Sequence, residues 1–364
     1  MMSGIFHNIY KGKTVIVTGD TGFMGSWLAI WLLNLGADVV GYALRPESSK
    51  DNYAICSLDD KITHINGDVR NHRKLLNAFS EHNPEIVFHL AAQASVLYSY
   101  KHPLYTYSTN VMGTVNLFEA VRSTPSVKAA IIITSDKCYE NREWAYGYRE
   151  IDPLGGKDPY SASKGAAEII TSSYLRSFFS QDGTANIASA RAGNVIGGGD
   201  WMENRIFPDC MRALMNNKPV VVRNPESVRP WQHVLEPLSG YLTLGSLLYT
   251  EGKKYSGAWN FGTLSKNMVS VKRLVEETVK QWGRGTYVID TGTKNCPKCE
   301  AHLLHLDISK TVNELGWHPV FDFKQAVKFA IEEYRVNNLS PDDIFNQRLD
   351  HIQKYVELRK SEEA

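Results

Sequence analysis

Short, almost wholly apolar segments recur along the first half of the chain, at Thr14–Thr18, Asp38–Tyr42, Lys61–Asn66, Ile86–Leu90, Ala129–Thr134 and Ala185–Arg191. Stretches with helical spacing of apolar residues separate them, at Ser26–Leu35, Arg73–Ser80, Val111–Arg122 and Tyr160–Phe179. A strand with one wet face alternates apolar and polar residues; these do not, so both faces must be covered. Strand–helix–strand order under that constraint predicts an α/β fold, a doubly wound parallel Rossmann-type sheet. After Gly193 the texture changes. Gly197–Gly199, Pro208, Pro219, Pro225, Pro230 and Pro237 mark loops, and helical spacing returns at Val234–Tyr249, Val271–Trp282 and Phe323–Asn337. This predicts a smaller C-terminal α/β substrate lobe interleaved with returning pieces of the sheet. The cofactor unit is expected over residues 10–194 and 229–262, and the lobe over 195–228 and 263–364.

A length of 364 residues suits two such units. With 40 Lys+Arg against 39 Asp+Glu the net charge is +1, which argues against nucleic acid or a membrane surface as partner. Residues 1–13 lack an apolar core, and Trp27–Leu44 is broken by Asn34, Gly36 and Asp38, so no signal segment or membrane span is expected. The five cysteines, Cys56, Cys138, Cys210, Cys296 and Cys299, are then expected as thiols in a cytoplasmic protein. Cys296-Pro-Lys-Cys299 with His302 and His305 mimics a zinc site, but only Glu300 and Ala301 separate the ligand pairs, too short a loop for structural zinc. No metal is expected.

The first strand runs into Gly19-Asp20-Thr21-Gly22-Phe23-Met24-Gly25 and then a helix. Glycines at such a turn let the backbone approach a pyrophosphate whose charge sits at the helix N-terminus. Gly19, Thr21, Gly22, Phe23, Met24 and Gly25 are therefore candidate dinucleotide-binding residues. The second strand ends in Gly41-Tyr42-Ala43-Leu44-Arg45, without the acid that binds ribose hydroxyls. Arg45 either faces a 2′-phosphate or is solvated, so these residues leave NAD and NADP open and point to a loosely held cofactor.

Tyr160 and Lys164 lie four residues apart and share a helix face. A neighbouring ammonium favours the phenolate, so the pair suits removal of a proton from a sugar hydroxyl as hydride leaves the same carbon. Thr134-Ser135-Asp136-Lys137 follows a buried strand, where ligands of such sheets bind. Ser135 can hold the substrate oxygen. Asp136 and Lys137 add an acid and a base beyond what hydride transfer needs.

Thr18-Gly19-x-x-Gly22-Phe23-x-Gly25, His89-Leu90-Ala91-Ala92-Gln93, Tyr160-x-x-x-Lys164 and Leu315-Gly316-Trp317-x-Pro319 together resemble the extended short-chain dehydrogenase/reductases over nearly the whole chain. Nucleotide-sugar 4,6-dehydratases of that group carry Ser-Thr-Asp-Glu-x-Tyr-Gly after the strand. Here Thr134-Ser135-Asp136-Lys137-Cys138-Tyr139-Glu140 has Lys in place of that Glu. This Asp-Lys form, with residues 155–161 and 191–201, is similar to the members that act on CDP-glucose.

The resemblance implies NAD as cofactor, with Asp68 at the adenine amino group and Val69, Leu90, Ala91 and Ala92 lining its site beside Tyr160 and Lys164. It implies Gln93, Asn194, Val221, Arg223, Arg229, Glu300 and His302 as substrate-binding residues, Arg229 gripping the diphosphate. Tyr160, Lys164 and Ser135 would oxidise C4, Lys137 would take the C5 proton, and Asp136 would protonate the departing C6 hydroxyl. A lysine is a base only when neutral, and burial and Asp136 pull it in opposite directions. Water or Tyr160 as base, with Lys137 steadying the enolate, is the alternative. A homodimer or homotetramer through Val111–Arg122 and Ser161–Phe179 is implied, as is a product for bacterial surface deoxyhexoses. A nucleotide-sugar epimerase or reductase would need the Tyr-Lys pair but not Asp136-Lys137, and a dinucleotide sensor would need neither.

Overall fold

In the computed structural model, which describes residues 5–264, 268–290 and 303–363, the strands form one seven-stranded parallel sheet. They are β1 (Thr14–Thr18), β2 (Asp38–Ala43), β3 (Thr63–Asn66), β4 (Ile86–His89), β5 (Ala129–Ile133), β6 (Asn186–Ala192) and β7 (Gly257–Phe261), in the order β3-β2-β1-β4-β5-β6-β7. The expected strand positions hold to within about two residues, the usual uncertainty of element ends. Strand β7 was not singled out in sequence; Trp259 and Asn260 within it are fully buried, and it pairs in parallel with β6. The order in which strands are added reverses between β1 and β4, with all of them parallel, which opens a crevice beyond their carboxyl ends.

Both faces are covered, as the apolar strands require. On one side pack α1 (Phe23–Asn34) and Leu235–Glu251, with Trp27, Trp31, Leu238 and Tyr241 fully buried. On the other pack His72–His82, Gly113–Arg122 and the long helix α2 (Pro159–Ser177), around Phe79, Leu117 and Phe118. Helix α2 starts where it does for local reasons. Asp158 accepts from Ser161 N at 2.9 Å, and Pro159 occupies the first turn. Such a cap is worth about 1 kcal/mol.

The later half builds short ladders. Val220–Val222 pairs in parallel with Tyr287–Ile289, and Val228–Pro230 pairs antiparallel with Met268–Ser270. The helix Phe323–Tyr334 presents the fully buried Glu333, which accepts from Gly198 N at 2.7 Å and pairs with His351 Nδ1 at 3.0 Å. Trp27 Nε1 donates to Gly198 O at 3.0 Å, so one buried carboxylate ties the loop after β6 to α1 and the C-terminal helices.

Candidate active site

The glycine turn sits at the mouth of the crevice. Gly19 has φ +77°, the left-handed region, and a Cβ there would lie 2.7 Å from Ala91 N. A Cβ on Gly25 would lie 2.0 Å from Gly19 O, so only glycine lets α1 cross under the turn. Gly22 is the N-cap and no side chain caps the helix, so the first-turn amides face the crevice mouth with no side-chain acceptor. An open N-terminus on a glycine turn fits a diphosphate. Thr21 Oγ1 donates to Leu44 O at 2.8 Å, tying the turn to the end of β2. Thr18 Oγ1 meets His89 Nδ1 at 2.7 Å and accepts from Ala91 N at 3.3 Å, which places Leu90, Ala91 and Ala92 across from the glycines. Phe23 and Met24 are partly buried against the core. Gly25→Ala is expected to lower the melting temperature and to remove the further rise that NAD gives the wild type, a destabilisation of about 2 kcal/mol read by thermal unfolding with and without dinucleotide. An unchanged NAD-dependent rise would show that the turn does not hold the cofactor.

Around the adenosine end, Arg45 is exposed, Val69 is buried, and Asp68 is engaged by its neighbour. Arg70 Nη2 donates to Asp68 Oδ2 at 2.6 Å and holds the carboxyl below its ordinary value. Sequence reading passed over Asp20. Its fully buried carboxylate lies against Gly41 of β2, where a Cβ would come within 2.1 Å of Oδ2, and pairs with His64 Nδ1 at 2.8 Å.

The catalytic candidates converge from β5 and α2. Ser135, Asp136, Tyr160 and Lys164 are buried, and Lys137 is partly exposed. Ser135 Oγ donates to Asp136 Oδ1 at 2.9 Å and accepts from Lys137 N at 3.2 Å, closing a tight turn at the strand end. Burial raises the Asp136 carboxyl above its ordinary value, opposed by the charges of Lys137 and Arg229. Tyr160 N donates to Ser99 Oγ at 3.2 Å. Burial pushes its phenol up to about 12, opposed by the Ser135 hydroxyl.

One expectation needs correction. Lys164 shares the helix face of Tyr160, but its Nζ donates to Ile133 O at 3.2 Å, and the positive charge acting most on the phenol is that of Arg205. The lysine stem runs towards the sheet, where the strand carbonyl takes one of the three ammonium donors, and burial leaves the phenol raised. Burial brings Lys164 itself down to about 8.

On the far side of the cleft, Arg229 is buried in Val228–Pro230, its Nη1 donating to Val228 O at 2.8 Å. Gly193 and Pro230 lie beside Asp136: a Cβ on Gly193 would be 3.3 Å from Asp136 Oδ2 and 3.2 Å from Pro230 Cγ. Asn194 is partly exposed, its carbonyl accepting from Gln232 N at 3.1 Å. Val221 is exposed on its strand, and Arg223 donates to Asn204 Oδ1 at 3.2 Å. Gln93 is turned into the fold, its Nε2 donating to Thr106 Oγ1 at 2.8 Å and Ser95 O at 3.0 Å. Glu300 and His302 lie outside the described residues, as do Cys296 and Cys299. No group of three or more metal-ligating side chains occurs among the described residues. Arg205, which sequence reading missed, reaches this region from the start of Ile206–Met215 and pairs with Asp200 Oδ2 at 3.0 Å. No spacing signal marked it; it arrives through a loop.

Residues 16–329 match the family model described as GDP-mannose 4,6 dehydratase. CDP-glucose 4,6-dehydratase of Salmonella typhimurium is 51% identical over 86% of this chain and 88% of its own length. CDP-paratose 2-epimerase of Salmonella typhi is 28% identical over 86% of this chain and 97% of its own. Among solved structures, dTDP-glucose 4,6-dehydratase from Bacillus anthracis in complex with NAD superposes with a TM-score of 0.72 at 21% identity, covering 90% of this chain and 97% of that one. Since the match runs from β1 to the helix carrying Glu333, and half the aligned residues are shared with one dehydratase, this chain belongs to the GDP-mannose 4,6 dehydratase family, nucleotide-sugar 4,6-dehydratases among the extended short-chain dehydrogenase/reductases.

Proposed function

We propose that the chain is an NAD-dependent CDP-glucose 4,6-dehydratase, a hydro-lyase that converts CDP-D-glucose to CDP-4-keto-6-deoxy-D-glucose and water. The observation that carries this reading is the buried Asp136, linked to Ser135 and flanked by Lys137, on the strand end next to Tyr160. An epimerase has no use for an acid here, where burial favours the protonated form of the carboxyl. The 51% identity to a CDP-glucose enzyme supports the cytidine nucleotide over other bases.

NAD, held by the glycine turn with Asp68, Val69, Leu90 to Ala92 and Lys164, supplies a hydride acceptor for C4 and afterwards a hydride donor for C6, so redox is internal. Tyr160 takes the C4 hydroxyl proton, with Ser135 fixing that oxygen. The 4-keto group acidifies the C5 proton, which Lys137 removes. Asp136, whose burial favours the protonated form, gives its proton to the C6 hydroxyl as that group departs. Arg229 and Arg205 bring positive charge to the side where a diphosphate would lie, with Asn194, Val221, Arg223, Glu300 and His302 assigned to the nucleotide and Gln93 to the sugar side.

The same reading assigns the cofactor unit to residues 10–194 and 229–262, and the nucleotide-sugar lobe to residues 195–228 and 263–364. It includes a homodimer or homotetramer, supported by apolar residues left on the surface around α2: Leu104 at 82%, Ile169 at 59% and Met112 at 51% exposed. No helix among the described residues is long and apolar enough to cross a membrane, in keeping with a cytoplasmic setting. The keto product suits deoxyhexose synthesis for surface polysaccharide. The test is mass spectrometry of the sugar nucleotide after incubation with NAD and CDP-, dTDP-, UDP- or GDP-glucose. A product lighter by one water from CDP-glucose alone is expected. Unchanged mass with every donor would overturn the reading.

A further inference from the structure

Helix α2 carries a third ionisable group in line with Tyr160 and Lys164. Glu168 lies one further turn along and is 3% exposed. Its Oε1 accepts from Thr134 Oγ1 just beyond β5. Its Oε2 accepts from Ser189 Oγ at 2.8 Å and Arg191 Nη2 at 2.7 Å, both on β6. Arg191, also 3% exposed, donates through Nη1 to the Tyr139 hydroxyl at 2.6 Å and to Glu150 O at 3.2 Å. Tyr139 donates in turn to Asn260 Oδ1 on β7 at 2.8 Å. An ion pair enclosed this way is a weak means of stabilising a fold, because desolvating both charges costs about what their attraction returns. Its location is the informative part. One end holds the residue before Ser135, and the other lies a single turn from Lys164.

We infer that Glu168, with Arg191 as its counter-ion, is a positioning residue for the dehydration, fixing the strand end that carries Ser135 and Asp136 and supplying the negative charge that balances the Lys164 ammonium. The inference deepens the dehydratase reading and rests on it. The ionisable groups bearing on Lys164 are Glu168 on its own helix, Cys138 in the turn after β5, and His89 on β4. His89 is kept neutral, first by burial and then by the lysine. Burial drives the lysine down, and the Glu168 carboxylate is foremost in holding it up. The sign follows: without that carboxylate the ammonium is lost at lower pH.

The test uses the NAD-loaded enzyme with CDP-glucose and compares kcat against pH for wild type, Glu168→Gln, Glu168→Asp, Glu168→Gln with Arg191→Met, and Thr134→Val. The double variant leaves no guanidinium buried without its carboxylate, so it carries the test where Glu168→Gln alone fails to fold. In the neutral variants the alkaline limb of kcat, the pH above which it stops rising, is expected to move down by about one pH unit, a tenfold change in the proton equilibrium, while Glu168→Asp keeps the wild-type limb. Thr134→Val, nearly isosteric and charge-neutral, is expected to lower kcat about fivefold with KM and limb unchanged. A folded neutral variant with the wild-type limb, or Thr134→Val with wild-type kcat, would overturn the inference. The ¹⁵Nζ titration of Lys164, assigned through Lys164→Met, reads the same shift without turnover. Failure of the wild type on CDP-glucose would therefore sink the function while the titration still decides the role of Glu168.

Discussion

Tyr160→Phe is expected to lower turnover of CDP-glucose by about 10³-fold, mid-range for removing a positioned general base. The substitution removes one oxygen and keeps the ring. The backbone of residue 160 stays fixed by the Ser99 hydroxyl at 3.2 Å, so folding and NAD-dependent stabilisation should survive. The loss should fall on kcat, since the phenol acts on the C4 hydroxyl as hydride departs. The pH dependence follows from the same burial. With the phenol pushed up to about 12, phenolate is the minor form near neutrality, and turnover of the wild type should rise as pH rises. Lys164, assigned above to holding NAD, is brought down to about 8 and loses its charge as pH rises, so the gain in phenolate is offset from there on and the profile should level off. Tyr160→Phe should lack the rising limb. Retention of wild-type kcat by that variant would remove Tyr160 from the chemistry.

The sheet was legible because its strands carry no polar face: Ile86–His89 and Ala129–Ile133 are buried throughout, and such runs have few other places to go. The glycine turn was legible for a related reason, as Gly19 and Gly25 stand where a Cβ would overlap backbone. Contacts made across long sequence separations were not. Asp20 meets His64, Glu333 meets Gly198, and Arg205 bears on Tyr160 only once the sheet and lobe are assembled. Spacing on one helix predicted that Tyr160 and Lys164 share a face, but not where the ammonium would end. That is decided by the carbonyl of Ile133, on a different element. Gln93 shows the same limit. Its motif named the residue, while the fold turns its amide towards Thr106 and Ser95.

Asp136→Asn and Lys137→Ala should each stop dehydration, and should do so at different steps. Asn keeps the shape of the carboxyl against Gly193 and Pro230, and its amide can still accept from Ser135, but it has no acidic proton. Water loss from CDP-glucose should fall by about 10²- to 10⁴-fold, the range for loss of a general acid. Oxidation at C4 and abstraction at C5 do not need that proton, so deuterium from solvent should still enter C5 of recovered substrate. Lys137→Ala should abolish that exchange together with elimination, because the base itself is gone. The partly exposed position of Lys137, beside an acid whose burial favours its protonated form, is what permits this division. One group holds a proton in a dry place, and the other can exchange its own with solvent. Exchange at C5 that persists in Lys137→Ala while elimination slows would reassign the lysine to steadying the enolate and give the base to Tyr160 or water. Loss of exchange in Asp136→Asn would mean that the two residues titrate and act as a single unit.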